Sequence, residues 1–84
     1  MNKIDINNII GKSLKKHRLK NGYTQEEVAE HVGLAPKYVS QIERGISAGT
    51  IETLIRFCNL YNITTDAILF PLLNSKVRQS SKKN

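Results

Sequence analysis

The segment Thr24 to Gly45, TQEEVAEHVGLAPKYVSQIERG, constrains the fold more than any other part of the chain. It holds two short helical patterns either side of Gly33. The first opens with a reciprocal cap: the Thr24 hydroxyl can accept the Glu27 amide while the Glu27 carboxylate reaches back to Thr24. Tyr23 and Val28 occupy the staple positions around that cap. Val28, Ala29 and Val32 form an inward stripe, and Gly33 ends the helix. Ala35-Pro36 opens the second pattern, since proline at the first helical position lacks an amide that would have no intrahelical partner there. Ala35 cannot cap with its side chain, so this start is the weaker of the two. Val39 and Ile42 face inward and Gly45 stops the helix.

The remaining segments read as helices too. Apolar spacing predicts a first helix from Asn7 or Asn8 to Lys20, with Ile6, Ile10 and Leu14 on one face and Lys12, Lys15, Lys16 and Lys20 opposite. Asn21-Gly22 ends it. Thr50 caps a fourth helix, Ile51 to Tyr61, with Leu54, Ile55, Cys58 and Tyr61 as the expected buried row. Asn62 sits at its left-handed terminus. Thr64 caps a short fifth helix through Leu69. No stretch reads as a strand, so the class is all-α with five helices. The domain is expected over residues 7–70, followed by an apolar exit and a mobile basic tail over 71–84.

Charge points to the kind of partner. Lysine and arginine outnumber acidic residues by 13 to 7, a net charge of +6, which favours polyanions, nucleic acid before anionic membrane. The excess is uneven: Met1 to Tyr23 carries six basic residues against Asp5, whereas Thr24 to Leu34 carries Glu26, Glu27 and Glu30 and no lysine or arginine. An 84-residue chain lacks room for both a core and a deep pocket. The lone Cys58 excludes an internal disulfide and fits a reducing cytosol. No apolar run approaches the ~20 residues that span a bilayer, and the N-terminus has no leader pattern. A cytoplasmic protein is expected.

The outward side of the third helix carries the strongest functional signal. At about 3.6 residues per turn, Lys37, Ser40, Gln41 and Arg44 fall opposite Val39 and Ile42. Lys37 can donate to guanine O6 or N7, and Gln41 can bond adenine N6 and N7 together. Ser40 suits either base edge, Pro36 can touch a thymine methyl, and Arg44 lies where a phosphate would be. Tyr38 stands beside this face with a hydroxyl that reaches towards a backbone.

Residues 10 to 70 resemble the lambda-repressor-like helix-turn-helix domains of the Xre and Cro/CI regulators. The resemblance rests on Gln25 opening the first motif helix, Ala29 at the tight crossing, Gly33 in the turn, Val39 and Ile42 as anchors, and TIETLIRFCNLYNITTDAIL downstream. It implies a helix-turn-helix formed by helices 2 and 3, with base reading at Pro36, Lys37, Ser40 and Gln41. It also implies a phosphate contact at Gln25 and a salt bridge between Arg18 and Glu43. Many such domains carry proline and basic residues before the fourth helix. Here Ile46 to Gly49 has no charge, which leaves backbone amides and Ser47 for phosphate, beside Tyr38 and Arg44.

The expected function is a sequence-specific DNA-binding transcription regulator, a repressor that binds an inverted-repeat operator as a homodimer. Ile68, Leu69, Phe70, Leu72 and Leu73 are the candidate dimer surface, being more apolar than a solvated end. The alternative in a different class is a protein-interaction module, of antitoxin or anti-regulator type, on the same fold. A membrane-surface role ranks lower, because the apolar face of the first helix is needed for the core. Neither His17 nor His31 has a second ligand at metal spacing, so no metal or cofactor is expected. No nucleophile–base pattern or phosphate loop appears, and an enzyme is not expected.

Overall fold

The computed structural model describes residues 2–69. Four helices, α1 (Lys3–Lys20), α2 (Gln25–Val32), α3 (Pro36–Glu43) and α4 (Ile51–Tyr61), precede a short helical segment, α5, at 65–69. There is no strand among the described residues. α3 packs on α2 and α1, and α4 closes the other side of α2. The fold is all-α.

The helix ends follow from local chemistry. At α2, Thr24 Oγ1 accepts the Glu27 amide at 3.1 Å and Glu27 Oε1 accepts the Thr24 amide at 2.8 Å. Thr50 Oγ1 accepts the Thr53 amide at α4, whereas Ala35 makes no side-chain cap at α3. All four helices finish alike. The amides of Tyr23, Leu34, Ile46 and Ile63 return to the carbonyls of Arg18, Ala29, Gln41 and Cys58, past left-handed Gly22, Gly33, Gly45 and Asn62. That is the Schellman arrangement.

Three helix expectations need correction, the smallest being that Ile6 is 36% exposed rather than inward with Ile10 and Leu14. α1 starts at Lys3, not at Asn7 or Asn8, because Asn2 caps it: its side chain accepts the Asp5 amide at 3.0 Å, and Asp5 reaches back to the Asn2 amide. Asn7 is thereby a buried interior position. On α4, Ile55 is 47% exposed and Phe57 is fully buried in its place. The core consists of Ile10 and Leu14 from α1, Val28, Ala29 and Val32 from α2, and Val39 and Ile42 from α3. Phe57, Cys58 and Tyr61 from α4 complete it with Ile68.

Ile68 was expected at a dimer surface. Instead it is wholly buried, so it closes the core, and Leu69 packs partly against it. The other residues of that expected surface, Phe70, Leu72 and Leu73, lie outside the described residues, as does the expected tail over 71–84.

Candidate nucleic-acid interface

α3 projects from this scaffold with two unlike faces. Val39 and Ile42 are buried, while Pro36, Lys37, Tyr38 and Arg44 are exposed and Ser40 and Gln41 are half-buried. Lys37 Nζ lies 5.2 Å from the centroid of the Tyr38 ring, within cation–π range. A shallow groove of about 230 Å³ separates α3 from the start of α4, with Tyr38, Gln41, Ser47, Gly49 and Thr50 among its lining. Ser47 Oγ accepts the Gly49 amide at 3.1 Å, so its oxygen is already engaged in turning the loop. Its exposed hydroxyl still has a proton to donate.

The C-terminal end of α3 is fixed by a buried cluster. Arg18 Nε donates to Glu43 Oε2 at 2.7 Å, and a second guanidinium nitrogen donates to Glu43 Oε1 at 3.1 Å. A third Arg18 nitrogen donates to the Tyr23 carbonyl at 2.9 Å, tying the end of α1 into the same point. The Glu43 side chain is only 2% exposed. Burying two charges is tolerated here because the pairing is bidentate and a further guanidinium N–H is accepted by the Tyr23 carbonyl. The hydrogen bond to Glu43 raises the Arg18 pKa above its ordinary value, against the opposing pull of burial. Tyr61 lies nearby, buried, with no hydrogen-bond partner for its hydroxyl among the described residues. Burial first, then the Glu43 charge, pushes its phenol pKa upward.

Gln25 joins this cluster. Its Nε2 donates to Glu43 Oε1 at 3.1 Å, so the first residue of α2 is tied to the last of α3. One amide proton is then used, and the second stays available at the amino end of α2, where an anion is favoured. The exposed Glu26 and Glu27 carboxylates oppose an anion at the same end. The structure thus brings Gln25, Arg18 and Glu43 together under α3 and leaves Lys37, Ser40 and Gln41 outside.

Glycine 11 is a positioning residue that sequence reasoning missed. It is buried where α1 crosses the end of α3. A Cβ there would press on the Ile42 carbonyl oxygen and stand 2.7 Å from the Glu43 carbonyl oxygen. Gly45, just past α3, has the same relation to Asn8, whose Cα would be 3.0 Å from an added Cβ. The signal was present, since an isolated glycine inside a helical pattern carries a cost and marks a packing reason. Arg56 was also missed; its guanidinium donates to the Val32 carbonyl at 3.2 Å and closes the end of α2 from α4.

The basic residues of α1 divide by side. Lys12 and Lys16 line a mostly apolar groove of about 690 Å³ with Ile9, Ser13, Asp66 and Ala67, on a different side of α1 from the Gly11–Arg18 face that meets α3. Among the described residues no group of His, Cys, Asp and Glu is placed to hold a metal ion. No described helix is long and apolar enough to cross a membrane.

Comparison with known proteins places this geometry. Residues 14–68 match the Helix-turn-helix family. ImmR of Bacillus subtilis strain 168, an HTH-type transcriptional regulator, is 42% identical over 60 residues, 71% of this chain and 47% of that protein. SinR of Bacillus licheniformis, also an HTH-type transcriptional regulator, is 34% identical over 68 residues, 81% of this chain and 59% of that protein. The chain spans about half the length of these two regulators. Among solved structures, the clp gene regulator ClgR of Corynebacterium glutamicum superposes with a TM-score of 0.76 at 26% identity, over 93% of this chain and 83% of that one. The biofilm master regulator SinR in complex with DNA superposes at 0.66 with 31% identity, over 71% and 97%. With five helices in this order, α2 and α3 joined through Gly33 and the family matched over residues 14–68, the chain belongs to the lambda-repressor-like helix-turn-helix family of the Xre and Cro/CI type.

Proposed function

We propose that this protein is a sequence-specific DNA-binding transcription regulator that lays α3 in the major groove and represses by occupying its operator. The observation that carries the reading is the division of labour on α3. Its inner face and C-terminal end are locked by Val39, Ile42 and the Arg18–Glu43–Gln25 cluster. Among the described residues the side chains of Lys37, Ser40 and Gln41 make no hydrogen bond, which leaves them to meet base edges. Pro36 stands at the leading end of the same helix. Gln25, Tyr38, Arg44 and Ser47 surround it as backbone contacts, which fix register without reading sequence. Kinship with transcriptional regulators, and with a regulator solved on DNA, supports the same reading.

One helix touches only a few base pairs, so the reading includes a homodimer on two half-sites about one helical turn, ~34 Å, apart. Selection from a random duplex pool at two salt concentrations tests it. The expected result is an inverted repeat, lost on Lys37→Ala or Gln41→Ala. Salt-sensitive retention with no enriched sequence would reduce the interaction to phosphate charge and replace this reading by a protein-binding one.

A further inference from the structure

α1 uses one face for the brace, where Gly11 and Arg18 meet the end of α3. Another side of the same helix borders the groove of about 690 Å³, shared with residues of α5. That volume falls within the ~300–1,000 Å³ of small-molecule sites. Ile9, Ser13 and His17 follow one another along it at four-residue intervals, two turns of α1 or about 12 Å. The groove exists because small residues stand on both sides of it, Ser13 on α1 and Ala67 on α5. Ser13 Oγ donates only a long bond of 3.5 Å to the Ala67 carbonyl. Larger side chains at these two places would pack α1 against α5 and close the gap.

The lining determines what kind of molecule fits. Its walls are mostly apolar. Burial first, then the charges of Lys20 and Lys16, holds the His17 pKa below its ordinary value, so at neutral pH the ring is an uncharged wall. Lys12 and Lys16 are exposed and stand one turn apart on the α1 side. Their ammonium groups set two positive charges at the edge of an apolar trough. Asp66, on the α5 side, opposes an anion there. A negative head therefore belongs with the lysines, and an apolar body between Ser13 and Ala67.

We infer that this groove binds an anionic amphiphile, a medium-chain carboxylate, with its acyl chain along Ile9, Ser13 and Ala67 and its carboxylate held by Lys12 and Lys16. A slim chain of that class matches two turns of helix, and an open groove needs no entry path. The site lies on a different side of α1 from α3, and it goes beyond the reading of the protein as a DNA-binding regulator without resting on it.

Decanoate is the probe that tests it. Titrated below its micelle-forming concentration into the full chain at neutral pH, it is expected to bind saturably and to shift the amide NMR signals of Ile9, Ser13, His17 and Ala67, not those of α3. Butyrate has the head without the chain and is expected to bind far more weakly. Decanol has the chain without the charge and is expected to bind several-fold more weakly. Ala67→Leu fills the groove from an exposed position and is expected to lower decanoate affinity about tenfold or more. Lys12→Gln combined with Lys16→Gln is expected to lower it several-fold while leaving decanol binding unchanged. Circular dichroism melts establish that the variants are folded. Shifts spread over every lysine-bearing surface, or Ala67→Leu binding decanoate like the parent, overturn the site. Butyrate or decanol binding as tightly as decanoate overturns the ligand class, and the inference with it.

Discussion

α2 and α3 are each eight residues long and pack against one another, yet they are held by opposite means. Both end in the same backbone turn, but α2 begins in a complete capping box and has its last carbonyl bonded by Arg56. α3 has no side-chain cap and no acidic residue in its first turn. Its position comes from elsewhere: Arg18 on α1, Gln25 on α2, and the passage of Gly11 beneath its end. A helix held from outside need not spend its own outward residues on structure. The contrast explains how Lys37, Ser40 and Gln41 can face solvent without local duties.

Removing the brace is the strongest way to break the comparison. Arg18→Ala leaves the Glu43 charge buried with only the Gln25 amide beside it, and a buried ion pair that loses one member costs about 3–5 kcal/mol. The expected outcome is a large fall in melting temperature, measured by circular dichroism, with DNA binding lost alongside. An Arg18→Ala protein that melts like the parent would show that α3 is held by apolar packing alone. Gly11→Ala attacks the same junction by volume. Its methyl meets the Ile42 and Glu43 carbonyls, backbone that can yield only if α1 and α3 separate. A loss of about 1–3 kcal/mol is expected from the overpacking, and urea titration measures it.

Substitutions on the outward face should do the reverse. Lys37→Ala and Gln41→Ala each remove a base-edge donor and are expected to cost about 1–3 kcal/mol of discrimination at one base position. Their melting temperatures should stay near that of the parent, because neither side chain braces α3. Fluorescence anisotropy on matched and single-mismatch duplexes separates this from a uniform loss of affinity. A uniform loss would reassign the residue to phosphate.

The same contrast shows what the sequence could and could not reveal. Caps are local, so Thr24–Glu27 and Thr50 could be read from a few residues, as could the stops at Gly22, Gly33, Gly45 and Asn62. The Asn2–Asp5 cap is equally local, but it stands ahead of the apolar spacing that marks the helix, which begins only at Ile6. Ile55 and Phe57 were exchanged because both fit an apolar stripe, and only the placement of α2 against α4 decides which turns inward. The pairing of Arg18 with Glu43, 25 residues apart, came from family resemblance, since no spacing joins them. The hydrogen bond from Gln25 to Glu43 and the crossing at Gly11 depend on the tertiary arrangement, and so on distances no single segment contains.

Smaller effects sharpen the contrast between the two helix starts. Thr24→Ala removes the acceptor for the Glu27 amide and should destabilise the fold by about 1 kcal/mol, the usual worth of such a cap. The complementary change adds one where none exists. Ala35 has extended backbone, φ −72° and ψ 147°, which already suits an N-cap, and it is exposed, so a hydroxyl meets no neighbour that must move. Ala35→Ser should therefore stabilise the protein by about 0.5–1 kcal/mol, at the lower end of the cap range because α3 is already held at its far end. Chemical denaturation of the single variants and of Ala35→Ser combined with Arg18→Ala distinguishes two cases. Equal gains in both backgrounds mean that the cap and the brace act independently on α3. A larger gain once the brace is removed means that α3 frays from its start when its end is released, and that its own sequence was never sufficient to hold it.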